Sequence, residues 1–186
     1  MSKDVHKFKV GISSCLLGEK VRWDGGHKLD SYLIGTLGKI VTYVRVCPEV
    51  DCGFAVPREP FHLEGDPDHP RLMTSKTGKD CTLRMERWAR GRVKELERGD
   101  LCGFIFKSSS PSCGMEGIEV RNEKGMPGKK GRGIFARILM ENFPFLPVED
   151  NERLNDMATR ENFIERIFTS FSATPELNPC HPAGSA

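Results

Sequence analysis

The sequence predicts an α/β domain with helices on both faces of a mostly parallel sheet. Three observations lead there. Short β-branched or apolar runs alternate with segments of helical spacing, which makes parallel pairing through helical crossovers the economical arrangement. One run, Leu101–Phe106, is apolar almost throughout, as a strand covered on both faces must be. And 186 residues with 38% hydrophobic content suit one domain with a single substantial core.

The elements follow in order. Phe8–Cys15 alternates apolar with small or polar residues and reads as the first strand, turning at Leu17-Gly18. A short helix is expected over Leu29–Leu37, weakened by Gly35 and ended by Gly38. Ile40–Cys47 is β-branched and alternating, a second strand that Pro48 stops. Residues 51–82 carry Pro, Gly, Asp and His and read as a long loop with room for a hairpin; loops of that length in compact domains serve function. Met85, Trp88, Ala89, Val93 and Leu96 follow helical spacing up to Gly99, giving an amphipathic helix that lies on a sheet. Leu101–Phe106 is the next strand. Gly131–Phe143 reads as a helix, Phe145–Val148 as a short strand and Arg160–Phe171 as a terminal helix; the Pro- and Ala-rich end from Ser172 reads as a disordered tail. The expected organisation is a domain over 1–150, a C-terminal helix over 151–171 and a tail over 172–186.

With 28 basic and 26 acidic residues the net charge of +2 gives no reason, from composition alone, to expect a polyanionic partner. No stretch approaches the length of a membrane span, and MSKDVHKFKV lacks the apolar centre of an export signal, so the expected location is the cytoplasm. There, seven cysteines do not suggest a disulfide framework; the choices are buried filler, metal ligand and nucleophile.

Cys15, Cys47 and Cys113 each stand at or just beyond the carboxyl end of an expected strand, each among turn-forming or small residues: Ser13-Ser14, Pro48, and Pro111-Ser112 before Cys113-Gly114. In a parallel sheet such ends converge on one edge, where sites form. Cys102, inside an apolar strand, is filler. Three converging soft thiolates point to zinc or an iron–sulfur centre, and local spacing does not decide between them, since no CxxC pair is present. Three ligands on a cubane leave one iron open to substrate, the counterpart of the open position of catalytic zinc.

Five motifs in order, Ser13-Ser-Cys-Leu-Leu-Gly18, Arg22-Trp-Asp-Gly-Gly26, Cys47-Pro-Glu-Val50, Val56-Pro-Arg-Glu-Pro60 and Ser109-Ser-Pro-Ser-Cys-Gly114, resemble the TudS family of thiouracil desulfidases over about residues 8–150. The resemblance implies a Rossmann-like three-layer domain, a 4Fe–4S cluster on Cys15, Cys47 and Cys113, and non-redox removal of sulfur from a thiolated uracil. The stretches Arg153–Asp156 and Arg160–Arg166 resemble the junction that in longer relatives leads to a second domain associated with tRNA 4-thiouridine. That domain does not follow here, so the expected substrate is a free base or nucleoside rather than tRNA.

Desulfuration needs a general base for water. Glu49, two residues past Cys47, is the first candidate, with a structural bond to loop amides as its alternative. Ser109, ahead of Ser110, is a candidate to orient water or substrate. Asp24, Arg58 and Cys52 are candidates for substrate contact; a turn, a surface ion pair and a spectator thiol are their respective alternatives. The basic run Arg121–Arg132 reads as a loop able to meet phosphate at a helix start. Two other readings fit parts of the sequence: an RNA-binding module on a structural metal or cluster, and a thiol enzyme, against which no histidine accompanies any of the three cysteines in sequence.

Overall fold

A computed structural model of the chain describes residues 8–122 and 124–172. Among them, β1 (Phe8–Ser13), β2 (Val41–Val46), β5 (Leu101–Phe106) and β8 (Val148–Asp150) form a four-stranded sheet in the order β2-β1-β5-β8, parallel at every pairing. The mostly parallel central sheet is borne out. β5 carries the expected burial: all six residues are buried. A one-residue shift in register between Lys9 and Val10 places Leu101, Phe104 and Phe106 on one face and Cys102 and Ile105 on the other.

Each face has its own helices. α3 (Thr82–Glu97) buries Met85, Ala89, Val93 and Leu96, a stripe at helical period, together with Phe104, Phe106 and Val46. α4 (Ile134–Asn142) shares that layer; Ile134 to Leu139 are buried without interruption, as in a helix enclosed on every side. On the opposite face, Leu33 of α1 (Ser31–Gly35) and Phe163 and Ile167 of α5 (Met157–Ser172) pack with Val10, Ile12, Cys102 and Ile105. The short helix α2 (Pro48–Asp51) follows β2 directly, with Pro48 in its first turn.

A second sheet departs from the sequence reading. The long 51–82 segment holds the hairpin of β3 (Phe61–Gly65) and β4 (Pro70–Thr74), and the basic run read as a loop is the hairpin of β6 (Ile118–Arg121) and β7 (Pro127–Gly131). β3 and β6 pair in parallel, giving the order β4-β3-β6-β7. α4 accordingly begins at Ile134 rather than Gly131, and the last strand is Val148–Asp150 rather than Phe145–Val148. Past Ser172, the expected tail lies outside the described residues. No helix among them is long and apolar enough to cross a membrane.

Candidate active site

The chain runs from β1 to β2 on one side and returns to β5 on the other, so the order reverses between β1 and β5. Crevices of open parallel sheets form at such a point, past the carboxyl ends of the strands. Cys15 lies two residues beyond β1 in a single 3-10 turn, Ser14–Leu17, that ends on Gly18 at φ 87°, a left-handed conformation suited to glycine. Cys47 sits between β2 and α2, and its backbone N–H donates to Asp51 Oδ2 at 3.0 Å. Cys113 lies in the turn after β5, where the backbone N–H groups of Ser112 and Cys113 donate to Ser110 Oγ at 3.3 and 3.1 Å. That turn is clasped by the start of α4: Ile134 N donates to Pro111 O at 3.1 Å and Phe135 N to Ser112 O at 3.0 Å. The helix thereby satisfies its first free donors on the very loop that carries Cys113.

All three cysteines line one cavity of about 370 Å³, with Glu49, Arg58, Ser109, Lys107, Arg22, Trp23 and Phe61 also on its walls. Burial pushes the Cys47 thiol up to about 12 and the Cys113 thiol well above its ordinary value, and raises Cys15 while Lys107 and Arg22 pull the other way. Thiols so placed need a strongly cationic centre to be held as thiolates. Among the described residues no three His, Cys, Asp or Glu side chains gather tightly enough for a single ion. Three thiols on one open cavity are a donor set that a polynuclear cluster, whose ligands bind separate irons, can use. The donor set, the room and the flanking cations fit an iron–sulfur cluster.

Glu49 is held at both carboxylate oxygens. Arg58 donates to Oε2 from Nε at 2.8 Å and also from Nη2, and the Ser112 hydroxyl donates to Oε1 at 2.9 Å. Arg58 further donates from Nη2 to Val21 O at 2.9 Å and from Nη1 to Ala55 O at 3.0 Å. Most of its fork is thus occupied by protein, while the side chain also lines the cavity. Ser109 stands at φ 54°, unusual for a residue with a side chain, and faces the cavity. Ser110 also lines the cavity, and its Oγ serves the turn.

Two nominated residues lie elsewhere. Asp24 is exposed and caps its own turn, accepting from Gly26 N at 2.9 Å. Cys52 packs against the core around α3, outside the cavity wall. Lys107, Arg22 and Trp23 join the site although sequence reasoning gave them no role. Lys107 is the first residue after β5. Burial lowers its ammonium below the ordinary lysine value, while Glu152 and Cys15 raise it. Ser13 ties these parts together: its Oγ accepts from Lys107 N at 3.0 Å, and its hydroxyl bonds the Cys113 sulfur.

Residues 10–151 match the model of the 2-thiouracil desulfurase family. The chain belongs to that family. Membership makes it an enzyme that removes sulfur from thiouracil. A relative from Bacillus subtilis (strain 168), described as the uncharacterized protein YbbK, is 32% identical over 156 residues, covering 78% of this chain and 97% of the relative. A solved structure of the 4Fe–4S-dependent thiouracil desulfidase TudS superposes with a TM-score of 0.66 at 28% identity, covering 84% of this chain and 99% of that one.

Proposed function

We propose that this desulfurase converts a thiolated uracil, as base or nucleoside, to the oxo compound and hydrosulfide by hydrolysis, with a 4Fe–4S cluster on Cys15, Cys47 and Cys113. The observation that carries the reading is the meeting of those three cysteines and Glu49 on one cavity wall at the sheet's switch point. A cluster held by Cys15, Cys47 and Cys113 would supply Lewis acidity toward the thiocarbonyl of a substrate in this cavity. Glu49 accepts a proton from the attacking water, and its pairing with Arg58 holds the carboxylate in place for that transfer. Ser109, on its left-handed backbone, presents its hydroxyl to the water or to the pyrimidine carbonyl. Trp23 and Phe61 form the apolar walls against which a flat ring lies, and Arg22, Lys28 and Lys107 offset the negative charge of thiolates and product. Thiocarbonyl and water become carbonyl and hydrogen sulfide, so no electrons are gained or lost. The chemistry belongs in a reducing compartment, in keeping with the cytoplasm; all six cysteines among the described residues are free.

A cavity of this size takes the pyrimidine ring of a base or nucleoside. The thiol-enzyme reading loses ground because no histidine among the described residues lines the cavity. The test is anaerobic reconstitution followed by iron and sulfide analysis and an assay of thiouracil loss without reductant. Cys15→Ser, Cys47→Ser and Cys113→Ser each lose the cluster; Cys81→Ser retains it. Glu49→Gln keeps the iron and turns over about a hundred- to ten-thousandfold more slowly. Full activity of a colourless, iron-free protein refutes the cluster, and full activity of Glu49→Gln refutes the base.

A further inference from the structure

We propose that Ser13 is a positioning residue for the cluster: its hydroxyl donates a hydrogen bond to the sulfur of Cys113, which fixes that ligand and tunes the iron it binds. The inference rests on the ligand set of Cys15, Cys47 and Cys113, and deepens it. Ser13 closes β1, pairs in register with Val46 of β2 and is only 2% exposed. It stands two residues ahead of Cys15, and its strand partner directly precedes Cys47. Its Oγ accepts from the N–H of Lys107, the first residue past β5, at 3.0 Å, and its hydroxyl bonds the Cys113 sulfur. One small side chain thus borders or touches each of the three segments that carry a ligand.

Chemistry sets the direction of the bond. A thiolate on iron has no proton and can only accept. The serine has one proton, and its oxygen already accepts the Lys107 N–H, so the O–H is the group that turns to the sulfur. The other two sulfurs receive such bonds from backbone: Cys15 from its own N–H, and Cys47 from that of Val50. Only at Cys113 does a side chain supply it. That sulfur also has the greatest need of a donor. Cys15 has Lys107 and Arg22 to favour its charge, and Cys47 has Arg58, whereas the charges that weigh most on Cys113, from Cys47, Cys15 and Glu49, are all negative. A hydrogen bond to a cluster sulfur stabilises the reduced, more negative form more than the oxidised one and so raises the potential. The same bond orients the ligand, as outer partners of metal ligands do.

The experiment compares anaerobically reconstituted wild type, Ser13→Ala and Ser13→Thr, each first analysed for iron and sulfide. Two quantities are then read: the reduction potential, from a dye-mediated titration followed by visible absorption, and the chelator concentration that strips half of the iron. Ser13→Ala should carry a cluster of lower potential than the wild type's, stripped at about ten- to hundredfold less chelator. Ser13→Thr keeps the hydroxyl and should restore both. A serine that only held Lys107 N at the end of β5 would lower the Tm of the metal-free protein and leave the potential unmoved. That result overturns the proposal, as does a Ser13→Thr cluster that matches Ser13→Ala. The wild type supplies a further check should Ser13→Ala fail to fold: transfer to deuterium oxide should shift iron–cysteine stretching bands in the resonance Raman spectrum, and unshifted bands overturn the proposal. If the wild type itself binds no iron, the ligand set fails; a wild-type cluster with an unmoved potential in Ser13→Ala faults Ser13 alone.

Discussion

Arg58 and Glu49 lie nine residues apart, and nothing in their spacing announces a pair. Sequence reasoning gave the glutamate to water because it stands two residues past Cys47, and the arginine to substrate with a surface ion pair as its alternative. The fold turns the chain back after α2, and the arginine then closes on the glutamate, on Ala55 O and on Val21 O. What was legible was chemical type; what was hidden was the partner. Both side chains are nearly enclosed, at 8% and 15% exposure. Arg58→Ala strands a carboxylate without its countercharge, and breaking a pair so enclosed costs about 3–5 kcal/mol, which lowers Tm by on the order of 10 °C in a chain of this size. Thermal unfolding followed by circular dichroism measures it, and an unchanged Tm would mean that the ion pair carries no structural weight. The cysteines were easier to read, because a strand end is a place that the sequence marks with β-branched residues before and proline or glycine after.

At the level of elements, the central strands were legible almost to the residue: Ile40–Cys47 was expected and β2 runs Val41–Val46. β7 was not, since Pro127-Gly-Lys-Lys-Gly131 has little intrinsic preference for a strand and forms by pairing with β6. Strand order in the central sheet is also beyond sequence, and it is enforced by packing. A Cβ on Gly11 of β1 would stand 2.2 Å from Cδ2 of Phe104 on β5. Gly11→Ala therefore drives a fully buried ring from its place, at a cost of about 1–3 kcal/mol read from urea unfolding. A second test lies on β8. Glu149, with its side chain 9% exposed, faces Arg153 Nε at 2.9 Å, yet its Oε2 has no partner aligned for a hydrogen bond. Burial raises its carboxyl above the ordinary range, against the pull of Arg153. A raised folded-state value means that the fold favours the protonated form, so the contribution is complete below the unfolded value and is lost as pH rises through the folded one. Glu149→Gln has no such loss, so its Tm should fall less than that of the wild type between about pH 4 and pH 7. Parallel curves would remove Glu149 from the pH dependence.

For the whole molecule, the balance of charge conceals an uneven distribution. The net charge is only +2, while the cavity gathers Arg22, Lys28, Arg58 and Lys107 around one carboxylate. A local positive field of this kind concentrates anionic species and stabilises thiolates without making the protein basic. On the proposed ligand set, the same architecture decides when the metal can enter. Cys15, Cys47 and Cys113 belong to segments that meet only after β1, β2 and β5 have paired and the start of α4 has closed on the Cys113 turn. No shorter piece of chain presents the three together. In refolding from urea with iron and sulfide present, visible absorption should thus rise no sooner than the near-ultraviolet signal of the packed core. Colour that appeared first would mean that the cysteines assemble without the sheet. If it comes last, every coloured molecule is a finished one, and colour is itself a proofreading mark on the protein pool.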